Sequence, residues 1–540
     1  MLELPENTQH SQGTLRAPVM MAVIAVMIFL FPLLFGCFSE GSKDQSHGSR
    51  QTDEGQRASA TRGGQTGNAK EGSKGSRRTE TQAALVPIAH LSSTADNIST
   101  QELSGTRNLA VGRGYRDEAE ELIDSPRFES LDSAAEVVGH VSRTPEALGL
   151  VPWDEVGPEV KVLSVDGSSL LDADSNGDYP LRPEGATVPD PEELRRVVVG
   201  GDIVLDRGQY YMVIQKGMGI DFPLDGGYAA ITSRVPEQSA YSETGVIHQF
   251  TARRTGRAGA IREYLSGADL TLANFENPVI RDAVWHPDAT TFTGNLQLMP
   301  ILDQAGLDGV TLGNNHILDA GSTGLRETRR HLDHAGIAYA GAGKDLAAAR
   351  KPMVFDLGGT KVGVLSYMGV PYYDWAWATE TTPGTAPLLE SVMKEDIQLL
   401  RPKVDLILVM PHWGKEYIAT PEPGQVDLAH AALDAGADLL IGDHAHWPKG
   451  IEMYEGKPIF YGVGNFLFDQ SWSEETSTGI FAEITVYDDD VVQVHPVPFI
   501  ILDYAQPNFL MPGAGGDRAL RKIFAASLGP EFEAYGSRAR

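Results

Sequence analysis

GADLLIGDHAHWPKGIEMYEGKPIFYGVGNFLFDQ, residues 436–470, decides how the rest of the chain is read. It opens on a short apolar run, 438–441, whose length and glycine borders predict a buried strand. Just past its end stand His444 and His446. An extended segment points alternate residues the same way, so both imidazoles are expected to face one side. The runs 450–454 and 458–463, joined across Glu455-Gly456, predict a hairpin.

The same grammar recurs upstream. Short strands are predicted at 196–200, 269–274, 309–313 and 404–410, with helices at 261–265, 324–334 and 426–435 between them. A second hairpin joins 353–357 to 362–367 across Gly358-Gly359-Thr360. Parallel strands mixed with hairpins predict an α/β fold: a four-layer sandwich of two mixed sheets packed face to face and flanked by helices. Nearly every strand runs into a polar residue able to bind a cation. Asp202 follows the first, Asn274 and Glu276 the second, Asn314-Asn315-His316 the third, His412 the fourth, and His444 with His446 the fifth. Each alone is also explained by a cap or a satisfied core hydrogen bond. Together, at one edge of a sheet, they are expected to meet in one crevice.

The donor set is carboxylate, imidazole and amide. The single cysteine, Cys37, rules out a disulfide framework or a multi-thiolate site. Such donors suit one or two divalent ions, Mn, Fe, Zn or Mg, able to polarise a phosphoester or a similar centre.

The stretches GGDIVLDRG (200–208), LANFENP (272–278), LGNNHILDAG (312–321), MPHWGKEY (410–417) and the opening quotation stand in the order and spacing of one family. Over residues 193–512 the chain resembles the CapA family of poly-γ-glutamate capsule synthesis proteins, in the calcineurin-like metallophosphatase superfold. The resemblance implies Asp202 as the first metal-binding aspartate, Glu276 as the bridging carboxylate, Asn315 as the amide ligand, and His412, His444 and His446 as imidazole ligands. It implies that His316 touches a substrate oxyanion or protonates the leaving group. Arg207 either pairs with a substrate phosphate or carboxylate, or forms an ion pair with Asp319 or another carboxylate. Asn274, Asn314, Asp319, Glu416, Asn465 and Asp469 are expected to orient the ligands from behind. One departure stands out: the superfold's histidine two residues after the first aspartate is Val204 here. The implied role is a metal-dependent envelope enzyme or accessory factor for an anionic polymer, working beside membrane capsule-synthesis components. A general extracytoplasmic phosphoesterase and a non-catalytic scaffold of a polymer export complex remain alternatives.

Composition bounds the rest. A formal charge of −29 over 540 residues excludes nucleic acid as the main partner. Residues 17–36 form an uncharged apolar run long enough for a bilayer core of about 30 Å. Ending in Gly36-Cys37, residues 1–37 read as either a lipoprotein signal or a single-span anchor; both place the body at the cell membrane, facing the extracytoplasmic side. Residues 38–107 read as a disordered Ser/Gly-rich tether. Residues 108–190 read as a small α/β segment, in which 147–167 weakly resembles the closing part of phosphate-type solute-binding proteins, and 513–540 as a C-terminal helix and tail. The aromatic stretches 208–230 and 368–377 are expected to wall the cleft.

Overall fold

The strand Leu194–Ile203 shows why the chain folds in layers. Its Val197 and Val199 belong to one buried cluster and Val198 to another, so the strand is apolar on both faces. Such a strand must be covered on both sides. This computed structural model describes residues 82–536, apart from 125–126, 173–178, 235–240, 243–244, 247–249, 287–289, 512 and 514. The expected membrane segment, Cys37 and most of the expected tether lie outside the described residues. Among the described residues no helix is long and apolar enough to cross a membrane.

Leu194–Ile203 sits inside a ten-stranded mixed sheet. On one side Leu270–Phe275, Gly309–Thr311 and Ala338–Ala340 follow in parallel. On the other, Leu194–Ile203, Thr478–Tyr487, Asp490–Leu502 and Gln506–Leu510 pair antiparallel in succession. The hairpin Tyr228–Arg234 and Phe250–Thr255 extends that far edge, so much of the 208–261 insertion builds sheet away from the expected crevice. A six-stranded sheet, ordered Met353–Leu357, Thr360–Gly369, Leu406–Trp413, Leu439–Ile441, Lys457–Phe460, Ile451–Tyr454, packs against it. Both expected hairpins form.

Between the sheets, Val197, Val199, Leu270 and Leu272 meet Val364, Leu406, Leu408 and Ile441. Outside the first sheet, Val198, Ala273 and Val310 are covered by Ile261 and Leu265 of Ala260–Ser266 and by Leu325 and Leu332 of Gly321–Ala335. Outside the second, Ile407, Val409 and Leu440 are covered by Met393 and Ile397 of Glu390–Leu400 and by Ala429 and Leu433 of Pro423–Asp434. This is the four-layer sandwich expected from the strand pattern. Each buried Val or Leu contributes about 1.5–3 kcal/mol. The alternation of faces along every central strand therefore leaves little freedom of register.

The N-terminal reading needs correction. A five-stranded sheet, ordered Arg127–Leu131, Arg107–Gly112, Leu148–Pro152, Leu85–His90, Val160–Val162, begins well before residue 108. Leu85–His90 is one of its inner strands and buried throughout, and Thr100–Gly105 is a helix with a capping box at Ser99. The expected tether therefore gives way to folded chain by residue 82, not 107. Its polar composition masks a short apolar run, LVPIAH, that pairs with strands more than fifty residues away. The helix Gly516–Ala525 and Phe532 return to the core between the large sheets.

Candidate metal centre

The parallel register brings the polar strand ends to one edge. Asn274 lies opposite both Asp202 and Thr311, and Asn465 also lies opposite Asp202. The crossing is tight at Gly201: a Cβ there would stand 1.7 Å from the Gly464 carbonyl oxygen, so only glycine lets the two segments pass.

All six expected ligands gather there, buried. Asp202 and Glu276 have no exposed surface, and Asn315, His412, His444 and His446 are at most 4% exposed. His412 Nε2 lies 2.9 Å from Asn315 Oδ1, 3.1 Å from His444 Nδ1 and 3.5 Å from Glu276 Oε1. On the other side of Glu276, His446 Nδ1 lies 3.4 Å from Asp202 Oδ2. Two groups, Glu276–His412–His444 and Asp202–Glu276–His446, each bring three ligand atoms within 4.8 Å of one another and share Glu276.

The supporting contacts follow. Asn274 Nδ2 donates to Asp202 Oδ1 (2.7 Å) and approaches His412 Nδ1 (3.2 Å). Asn314 Nδ2 donates to Asn274 Oδ1 and to the Phe275 carbonyl, while its own oxygen accepts from the His316 and Ile317 amides. Asp319 Oδ2 lies 2.9 Å from His316 Nδ1, and Asn465 Oδ1 2.9 Å from His446 Nδ1. Phe292 packs on the His316 ring at 4.4 Å. Trp413 stacks on Tyr461, and Phe466 packs against Phe481 and Phe499, both beneath the site.

Three placements differ from expectation. Arg207 takes the expected ion pair to another carboxylate, with Nη2 2.6 Å from Asp469 Oδ1, and lies over Phe292 and Phe468. Asp469 thus braces an arginine instead of a histidine. Glu416 is exposed and orients no histidine, because the chain turns out of the sheet after Trp413. The segment bearing His444 and His446 is not extended: their φ angles are 86° and 56°. Left-handed backbone at two non-glycine residues costs of order 1–3 kcal/mol each. A tight loop, not strand alternation, turns both imidazoles inward.

Asp443 was not foreseen. It is buried beside Asp202 and Glu276, with Oδ1 lacking a hydrogen bond. The one sequence signal was its place next to a ligand histidine.

The electrostatics are those of a cation site. Burial, then the neighbouring charge of Asp202, pushes the Glu276 carboxyl well above the ordinary carboxylate range. Burial and Asp202 do the same to Asp443. For Asp202 burial works upward, but His446, His412 and Asn274 outweigh it and hold the group low. Burial lowers His412 to about 3 against the pull of Asp202, and drives His444 well down. Burial thus favours neutral rings at His412 and His444, the form that metal binding requires. Glu276 Oε1 and Oε2, Asp202 Oδ2 and Asp443 Oδ1 are buried without hydrogen bonds. Donors held at 2.0–2.2 Å from one ion lie roughly 3.3 Å apart, close to the spacings around His412 Nε2. The cluster fits a divalent metal.

The family model for the bacterial capsule synthesis protein PGA_cap matches residues 196–470. The chain belongs to that family. Within the PGA_cap family it is 31% identical over 228 residues to the capsule biosynthesis protein CapA of Bacillus anthracis, covering 41% of this chain and 55% of that one. It is 31% identical over 301 residues to a probable polyglutamine synthesis accessory protein of Mycobacterium tuberculosis, covering 51% and 74%. The chain thus spans little more than half the length of the first of these PGA_cap relatives. Among solved structures, the NAD nucleotidase of Haemophilus influenzae aligns over 64% of this chain and 67% of its own at 10% identity. Its TM-score of 0.35 is too low for that likeness to bear weight.

Proposed function

We propose that this PGA_cap protein is a divalent-metal-dependent hydrolase or transferase of the cell envelope, acting at a phosphoester or related bond in the making of an anionic polymer such as poly-γ-glutamate or capsule. The observation that carries the reading is Glu276, shared by two buried donor groups and without a hydrogen bond on either oxygen. When bound, a divalent ion there supplies charge for a polarised oxygen and a nucleophile at neutral pH. The chain's own residues do the rest. Asp319 engages His316 Nδ1, which leaves Nε2 as the nitrogen to protonate a departing oxygen. Family membership supports the polymer, and the apolar run 17–36 supports a membrane anchor with the body on the outer face.

The two halves of the centre are unequal. Glu276, Asn315, His412 and His444 offer four donors, whereas Asp202, Glu276 and His446 offer three, since Val204 packs with Phe292 and Phe468 where the superfold has a histidine. One ion is therefore proposed to bind tightly and a second weakly. That inequality also keeps the scaffold reading in view, and metal content separates the two. Full chain purified in detergent is expected to retain divalent metal by elemental analysis and to hydrolyse phosphomonoesters with added Mn²⁺. His316→Ala should abolish hydrolysis and keep the metal, and His444→Ala should lose both. A protein without metal would favour the scaffold; equal metal loss in both variants would contradict the roles.

A further inference from the structure

Charge is unevenly spread over the helices that cover the first large sheet. The chain carries a formal −29, and the arginines around Ala260–Ser266 are paired with acids: Arg254 with Asp503, Arg257 with Glu263, and Arg262 with Asp221 and Asp225. The other outer helix, Gly321–Ala335, is different. It buries Leu325, Thr328 and Leu332. On the opposite face Arg326, Arg330 and His334 follow one another at four-residue intervals, all exposed. Residues so spaced are neighbours on a helix, and two arginines so placed repel.

The helix's two acids are engaged elsewhere. Glu327 accepts from the Arg281 amide at 3.3 Å, and Asp333 from the Tyr339 hydroxyl at 3.1 Å. Arg326 has only the Thr323 hydroxyl, at 3.4 Å, and Arg329 lies over the Tyr339 ring at 5.4 Å. Among the described residues, none of Arg281, Arg326, Arg329 and Arg330 makes an ion pair.

A further cation joins from the side. Arg281, also exposed, follows the short strand Val279–Ile280, and the Val279 amide donates to Thr328 Oγ1 at 2.8 Å, which sets Arg281 beside the middle of the helix. Burial lowers His331, and Arg330, Arg281 and His334 push it the same way against the pull of Glu327. The helix dipole accounts for a cation in the last turn, His334, and not for two arginines upstream of it.

The strip has a length and a direction. From Arg326 to His334 it runs about 12 Å, at roughly 1.5 Å per residue. One small anion spans a single interval; a chain of carboxylates spans them all. The helix starts two residues after Asp319, the partner of His316, so Arg326 is the end nearer the metal centre. Charges beyond about 8 Å are screened at physiological ionic strength, so the strip and not the net charge decides what binds there.

We propose that Arg281, Arg326, Arg330 and His334 form a docking strip for a polycarboxylate chain, leading it along the helix toward the metal centre. This rests on the reading of the substrate as an anionic polymer. The test is calorimetric titration of a short poly-γ-glutamate oligomer, at low salt, into full chain stripped of metal by a chelator and then dialysed, which removes the centre as a competing site. An exposed ion pair is worth up to about fivefold in affinity. Arg326→Gln combined with Arg330→Gln should weaken the oligomer by roughly fivefold to thirtyfold, flatten its salt dependence, and leave Tm equal or higher as the repulsion goes. Arg257→Gln combined with Arg262→Gln removes the same charge from arginines already paired, and should leave binding unchanged. Equal binding by the Arg326 and Arg330 double variant and the unaltered protein, or as large a loss in the control, would overturn the strip. Tighter binding of inorganic polyphosphate of matched charge would overturn its assignment to carboxylates. If the unaltered chain binds no oligomer yet keeps its metal and hydrolyses phosphomonoesters, the strip and the polymer fall while the hydrolase stands. Arginine-dependent oligomer binding by a protein that holds no metal would uphold the strip and sink the hydrolase.

Discussion

Glu276→Gln is the substitution that asks most of the metal centre. The amide matches the carboxylate in shape but is neutral and a poor ligand. Glu276 has no exposed surface, no hydrogen bond on either oxygen, and Asp202 and Asp443 for neighbours. In chelated protein, therefore, the change removes a poorly placed carboxyl and should leave stability equal or slightly higher. With metal the sign reverses. Loss of a supporting residue alone costs ten- to a hundredfold in affinity, and loss of a shared ligand at least the upper figure at each ion. Metal at about 100 times Kd stabilises by about 2.7 kcal/mol; a hundredfold weaker site at the same concentration retains about 0.4. The difference, about 2 kcal/mol per ion, corresponds to a few degrees in Tm, since larger domains shift by roughly 2–4 °C per kcal/mol or less. The assay is thermal unfolding of both proteins with chelator and with saturating Mn²⁺, alongside elemental analysis. A variant that keeps its metal and the full metal-induced rise in Tm would refute the shared-ligand argument.

Three further outcomes follow from the same contacts. Because the Glu276 carboxyl is raised in the metal-free fold, its contribution to stability is greatest below the ordinary carboxylate value and is lost as pH rises through the raised one; metal must displace that proton, so the Tm gap between metal-loaded and chelated protein should widen with pH, and a gap that narrowed would contradict it. His90 is lowered from 6.5 by burial, with Nε2 2.7 Å from the Glu531 carbonyl, so the neutral ring's stabilisation is present above 6.5 and fades as pH falls below it; hydrogen exchange of residues 530–536 should quicken under acid in the native protein and lose that dependence in His90→Gln. Gly201→Ala puts a methyl 1.7 Å from the Gly464 oxygen, and should cost at least the roughly 1–3 kcal/mol of an overpacked core, visible as a lower urea midpoint with m unchanged.

The large sandwich was legible because each central strand announces itself twice, by its apolar run and by the donor at its end; Asp202, Glu276 and His412 were found this way. Leu85–His90 escaped because its partners are distant in sequence and its neighbours are polar, so composition averaged it away. Asp443 escaped for a different reason. The loop's left-handed turns break strand periodicity, and a residue that alternation would aim away is swung into the site. Glu416 failed in the opposite sense, its position in the fourth motif carrying it into solvent.

Pairing within the first large sheet also constrains how the protein is made. Leu194–Ile203, which bears Asp202, is flanked on one side by Leu270–Phe275 and on the other by Thr478–Tyr487, with Ala482 opposite Val199. Closing so long a loop is slow, and it cannot begin until synthesis has passed residue 487. The donors contributed earlier in translation therefore wait on a ribosome-tethered, unfinished sheet, and cation capture becomes one of the last events of maturation rather than a nucleus for it.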